Sequence, residues 1–350
     1  VKEVNDTFKI STASQLAWLA QNGNQFEGKT LFMTNDIDLG GVSAVHPNWV
    51  SIALMTTGFK GIFDGTNHKI INLYIDSTSK SGAGLFGSVS QMGIIKNVIL
   101  EHININCAAE TIGGIAALSS GTIENCIVSG TLKSTNAQQL HGICGGNASF
   151  GLIKNCEAHC IFSGNKNYWY VGSSGLGIAK NIESCLSSCS SNFMGEFGGL
   201  TYALVSNINN CYVANSDMVE GGGFMFFEEG ASNGKIYVYV KNSYIVNTTI
   251  GTGAIFGYTK KGGYFNGISN CFYDNESNSK PAFYPTYTNN DSVKGMDKGS
   301  MHAASFVTTL NCNQDTAAWK ADFEDMPIND GFPILVWQKH PQSITWIQNL

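Results

Sequence analysis

Arginine is absent from this 350-residue chain, so all 20 basic side chains are lysine. No planar guanidinium fork is therefore available to clasp a carboxylate or phosphate in two places. Charge of either sign is thin: Asp, Glu and Lys together make up 13% of residues, well below the roughly 25% of an ordinary soluble domain. The net charge of -6 gives no electrostatic reason to bind nucleic acid or anionic lipid. No apolar run reaches the roughly 18 residues that a membrane-spanning helix takes. The chain opens at Val1 with neither an initiator methionine nor a signal-peptide pattern. The expectation is an extracellular or outer-surface location with the signal peptide already removed. Only 6 prolines stand against 40 glycines, which points to many tight turns between short β segments.

What is present is a repeat. One phrase returns as Ile95-Lys96-Asn97-Val98, Ile123-Glu124-Asn125-Cys126, Ile153-Lys154-Asn155-Cys156, Ile182-Glu183-Ser184-Cys185, Ile208-Asn209-Asn210-Cys211, Val240-Lys241-Asn242-Ser243 and Ile268-Ser269-Asn270-Cys271. The successive steps are 28, 30, 29, 26, 32 and 28 residues, and a looser copy at Ile71 lies 24 residues before Ile95. A glycine-rich phrase precedes most copies, as in Gly84-Leu85-Phe86-Gly87, Gly114-Ile115, Gly142-Ile143, Gly175-Leu176 and Gly199-Leu200.

Each unit alternates apolar and polar residues over short β-prone runs, and none could bury its apolar face alone. Stacking the units as coils pairs every strand above and below and builds one interior core. The expected fold is all-β: a right-handed parallel β-helix, or β-solenoid, of about eight coils, its hand following the general rule for parallel connections. One domain spans 1–350, with an N-terminal cap over 1–30, coils over 31–275 and an irregular C-terminal cap over 276–350. Thr12-Ala13-Ser14-Gln15 matches a capping box, which predicts a short amphipathic helix over 12–22. Asparagine at the third position of the phrase falls at the same corner of successive coils. There its side chain tolerates left-handed backbone and can stack as an amide ladder.

At this point the residues resemble the GLUG-motif β-solenoids, surface proteins of Bacteroidetes. The entry Ser14-Gln15-Leu16-Ala17-Trp18-Leu19-Ala20, Asp36-Ile37-Asp38-Leu39 and Phe59-Lys60-Gly61-Ile62-Phe63-Asp64-Gly65 is similar to that family's beginning. Gly84-Leu85-Phe86-Gly87 is its motif, and Ile328-Asn329-Asp330-Gly331-Phe332-Pro333-Ile334-Leu335 is similar to its close. The resemblance implies a secreted or surface-attached module. Related modules occur in bacterial immunoglobulin A1 peptidases, which carry a zinc-binding His-Glu-x-x-His helix. None of His46, His68, His102, His141, His159, His302 and His340 begins that motif, so the chain by itself is not expected to be a zinc peptidase.

Other chemistry is weighed residue by residue. Cys126, Cys156, Cys185, Cys211 and Cys271 share one slot of the phrase, which predicts an interior thiol ladder of small buried side chains. Cys156/Cys160 and Cys185/Cys189 repeat a four-residue spacing that two such ladders explain without a metal, since i and i+4 on a strand point the same way. No metal or other cofactor is expected. A polysaccharide lyase using an arginine base is excluded by composition. A glycosidase needs two carboxyls about 5–10 Å apart, for which Glu228 and Glu229, in the longest repeat, are the best carboxylate candidates. No Gly-x-Ser-x-Gly elbow is present, because Gly172-Ser173-Ser174-Gly175 has the wrong spacing, and Gly221-Gly222-Gly223 lacks the lysine of a phosphate loop.

Aromatics at turns fit recognition better: Tyr168, Trp169, Tyr170, Tyr258 and Tyr264 are the candidate ligand-binding residues, able to stack on sugar rings. The reading is an adhesin-like, non-catalytic module for host or dietary glycans or glycoproteins. A carbohydrate-active enzyme and an accessory module of a larger immunoglobulin A1 peptidase-like protein are the alternatives.

Overall fold

The computed structural model describes residues 3–41, 49–53, 58–77, 82–134, 139–146, 150–164, 170–192, 195–202, 205–227, 235–258, 264–265, 267–278 and 293–340. The chain is an all-β parallel solenoid of about six turns with few helices. Its longest ladder carries the repeated phrase. Phe8, Leu31, Phe63, Ile95, Ile123, Ile153, Ile182, Ile208, Val240 and Ile268 lie rung upon rung in parallel register. All ten side chains are buried. The expected count of about eight coils rests on counting copies of the phrase, one of which, at Ile71, lies off this ladder.

From Ile95 onward the corner after each rung is made by the third residue of the phrase. Asn97, Asn125, Asn155, Ser184, Asn210, Asn242 and Asn270 all hold φ between 50° and 54°, the left-handed region in which Asn is the best tolerated residue with a side chain; Asn72, at φ 60°, follows Ile70 on a neighbouring ladder. The side-chain amides stack as well. Asn155 Nδ2 donates to Asn125 Oδ1 at 3.0 Å, Asn125 Nδ2 to Asn97 Oδ1 at 3.1 Å, and Asn97 Nδ2 to the Asp64 carboxylate at 2.9 Å.

The fourth position explains the cysteines. The thiols of Cys126, Cys156, Cys185, Cys211 and Cys271 donate to the carbonyl two residues earlier at 3.1–3.4 Å, and Ser243 Oγ does the same at 2.7 Å. The slot takes a small buried side chain, whose thiol or hydroxyl adds a second hydrogen bond to carbonyls such as those of Glu124, Lys154, Glu183, Asn209 and Lys241, which already accept the corner amide of the preceding turn. All ten cysteines are free, nine of them buried, and burial pushes the Cys271 thiol up to about 12. The Cys271 thiol is therefore protonated and unreactive at neutral pH.

The glycine phrase is a close-approach ladder. A Cβ on Gly142 would collide with the Gly175 carbonyl, and one on Gly175 with the Gly199 carbonyl. The residues that follow these glycines, Ile143, Leu176 and Leu200, point into the core and are fully buried.

Helix α1 (Ala13–Asn22) is N-capped by Thr12, whose hydroxyl accepts from the Gln15 amide at 3.2 Å, and it buries Leu16 and Leu19 in the main core. Gln15 completes the box by accepting from the Ser11 amide at 2.7 Å. The described C-terminal residues, with helices α2 (Lys298–His302) and α3 (Ala304–Leu310), lie against the flank of the solenoid. Leu186, Tyr212, Tyr244 and Phe272 stack as an outward row on successive turns. Met301, Phe306, Leu310, Trp319, Phe332 and Leu335 cover that row as a second apolar core. The segment also repairs the amide ladder where Ser184 interrupts it. Trp337 Nε1 donates to the Ser184 carbonyl at 2.9 Å, while Asn210 donates to Gln314 at 2.9 Å and accepts from Trp319 Nε1 at 3.1 Å.

The corner ladder yields a stability prediction. Asn125→Val places a β-branched residue at φ 53° and removes two amide hydrogen bonds. It is expected to cost about 2 kcal/mol or more. Asn125→Gly keeps the backbone angle and is expected to cost less. Urea unfolding of both variants checks the order; equal costs would mean that backbone strain at this corner contributes nothing.

Candidate functional site

Tyr168, Trp169, Glu228 and Glu229 lie outside the described residues. Tyr170, Tyr258 and Tyr264 have described backbones, in the strands Tyr170–Ser174, Thr249–Tyr258 and Tyr264–Phe265.

A different surface is assembled by the stacking itself. The residue before each buried rung of the phrase ladder faces outward, and Ile62, Ile94, Thr122, Leu152, Asn181, Asn207 and Tyr239 form one outer row in parallel register. Beside it runs a second row, Asp64, Lys96, Glu124, Lys154 and Glu183, whose charges alternate in sign from turn to turn. Opposite charges on directly opposed rungs stabilise a sheet. Lys96 pairs with Asp64 at 3.5 Å and Lys154 with Glu183 at 3.7 Å. The polar phrase residues in this row are thus accounted for by the scaffold.

On the other side of the outer row the corner opens into a groove of about 300 Å³, lined by Gln91, Ser120, Gly121, Thr122, Phe150, Gly151, Leu152, Lys180 and Asn181. Glycine occupies this corner on four consecutive turns, Gly61, Gly93, Gly121 and Gly151; a Cβ on Gly121 would meet the Gly93 and Ser90 carbonyls, and Gly151 holds φ +85°. Phe150 stands at its edge, 45% exposed. The next turn is tied to it through the backbone, with the Lys180 amide on the Phe150 carbonyl at 2.8 Å. Asn207 Nδ2 donates to Asn181 Oδ1 at 2.9 Å and fixes that amide. Further along the row Tyr239 is 42% exposed. The exposed Phe150 ring beside the amides and hydroxyls of Gln91, Ser120, Thr122 and Asn181 can hold a flat, hydroxylated ligand. Sequence reading missed this groove, although Phe150, an unpaired aromatic between Asn147-Ala148-Ser149 and Gly151, was a signal of an exposed ring at a turn.

Two titratable groups of the coils also escaped the sequence. Glu157 heads the row that the C-terminal segment covers. One carboxylate oxygen meets His159 Nε2 at 3.0 Å, and the other accepts from Gln338 Nε2 at 2.9 Å. Gln338 Oε1 in turn accepts from the buried Tyr212 hydroxyl at 3.0 Å. Burial works to depress His159, but the hydrogen bond and charge of Glu157 outweigh it and raise its pKa above 6.5. With both oxygens engaged, the Glu157 carboxylate docks the C-terminal segment. His141 sits wholly inside the core, its Nδ1 2.8 Å from Ser174 Oγ, and burial lowers its pKa to about 3. Among the described residues no group of three or more His, Cys, Asp and Glu is placed to hold a metal ion, and no helix is long and apolar enough to cross a membrane.

No family model matches the chain. Over 78 residues, 22% of its length, it is 35% identical to halomucin of Haloquadratum walsbyi, and this match spans 1% of halomucin. In fold, the whole chain corresponds to 26% of a solved structure named IgA1 protease, with a TM-score of 0.57 and 16% identity. A Bacteroides ovatus protein provisionally described as an immunoglobulin A1 protease matches 95% of this chain over 93% of its own, with a TM-score of 0.49 and 16% identity. The solenoid fold is thereby shared with an IgA1 protease structure, of which the chain spans about a quarter.

The two histidines set opposite pH limbs. The unfolded chain protonates His141 near 6.5 and the folded core only at about 3, so stability falls as pH drops from about 6.5 toward 3. The His159 contribution is complete below 6.5 and is lost as pH rises through its raised folded value. Thermal midpoints measured across this range are expected to show a shallower acid limb in His141→Leu and a shallower alkaline limb in His159→Gln. Unchanged slopes would remove these assignments.

Proposed function

We propose that the chain is an extracellular or cell-surface module, non-catalytic and adhesin-like, that binds glycans or glycoproteins through the groove along the outer row. In this reading it is a surface solenoid of the GLUG-motif type found in Bacteroidetes. The observation that carries it is the groove: an exposed Phe150 ring beside Gln91, Ser120, Thr122 and Asn181, contributed by consecutive turns. A sugar offers an apolar C–H face to an aromatic ring and a rim of hydroxyls to neutral amides and hydroxyls, and exposed rings lose little rotamer freedom on contact. Successive turns repeat at about 4.8 Å, so a polymer lying along the rod spans several turns. Tyr168, Trp169, Tyr170, Tyr258 and Tyr264 belong to the same reading as further stacking rings.

A second reading is favoured by the fold comparison. A solenoid covering about a quarter of an IgA1 protease structure suits an accessory module that positions a catalytic part carried elsewhere. The two readings are compatible, because a module that holds a glycoprotein's carbohydrate would also position a catalytic part carried elsewhere.

The test is a glycan array followed by titration of the strongest ligand. Phe150→Ala is expected to weaken binding roughly tenfold, the loss of one stacked anchor, with circular dichroism and thermal midpoint unchanged. An array without signal would overturn the glycan reading, and full affinity in the variant would move the site away from this groove.

A further inference from the structure

We infer that the groove selects acidic glycans, with the Lys180 ammonium receiving the carboxylate of a uronate or sialate whose ring stacks on Phe150; this rests on the glycan reading above. Three observations converge. First, Lys180 is the one charged residue among those lining the groove, so the wall carries positive charge uncompensated by any lining carboxylate. Second, Lys180 is exposed and, among the described residues, in no ion pair, whereas Lys96 and Lys154 of the neighbouring row are each held by a carboxylate. Third, the Lys180 amide donates to the Phe150 carbonyl at 2.8 Å, so the two residues sit on adjacent turns, whose backbones stack about 4.8 Å apart. A sugar ring on Phe150 would therefore carry its carboxyl substituent toward the ammonium, while Thr122, Gln91 and Asn181 remain for its hydroxyls.

An overall charge of -6 repels acidic polymers from most of the surface, which makes a local cation the determinant of where such a ligand can land. A lone exposed lysine–carboxylate contact is worth up to about fivefold in affinity and is screened by salt.

The experiment presents neutral oligosaccharides beside counterparts of the same backbone bearing uronate or sialate, including oligogalacturonate and its methyl ester. The expected result is acidic members binding about fivefold tighter than their neutral or esterified partners, a difference that shrinks at high salt and disappears in Lys180→Met. Phe150→Ala should weaken acidic and neutral members alike. Equal binding of acidic and neutral partners, or a preference unchanged in Lys180→Met, overturns the acidic selectivity and leaves the glycan reading standing. A blank array overturns both. Because Lys180 is exposed and its side chain makes no contact that the fold uses, Lys180→Met should keep the thermal midpoint of the parent.

Discussion

The left-handed corner is the constraint on which the structure depends. Every turn must reverse direction within one residue between two buried rungs, and only a residue that accepts φ near 50° can stand there. Asparagine meets this and adds an amide that bonds to its copy in the next turn. The cysteine or Ser243 that follows the corner lies inside the core and adds a hydrogen bond to the carbonyl two residues back. The amide ladder, the thiol ladder and the regular spacing of the buried rungs are therefore consequences of one backbone requirement. The glycine ladder is its counterpart on another side, where carbonyls of the next turn occupy the space a side chain would take.

Most polar groups of the coils are used in this way. Asparagines bond to asparagines, the charged row pairs along itself, and Glu157 holds the C-terminal segment through Gln338. Recognition is left to places where stacking makes no demand on the side chain. Outward positions are such places, and the groove around Phe150 and Lys180 is lined by them.

The repeat, the corner asparagines and the interior cysteines were legible because stacking forces the same residue type into the same slot each turn, and that recurrence survives in one dimension. The groove was not legible. Gln91, Thr122, Phe150 and Lys180 follow one another at about the spacing of the repeat, but they differ in type, so no recurring residue marks them as one surface. Likewise the prolines and tryptophans after residue 276 announced a change of structure but not where it would pack. Tyr212, Tyr244 and Phe272 looked like ordinary strand aromatics, yet they form the outward face that the returning segment buries.

The sequence by itself determined the solenoid, its core-facing ladders and the residue at every corner, because each follows from a local backbone geometry repeated in register. Only the tertiary structure decided which outward residues meet. Lateral neighbours in a solenoid are set by the register between turns and by the course of the C-terminal segment across the flank. Both depend on contacts between residues separated by a full coil or, as with Gln338 and Glu157, by 181 positions.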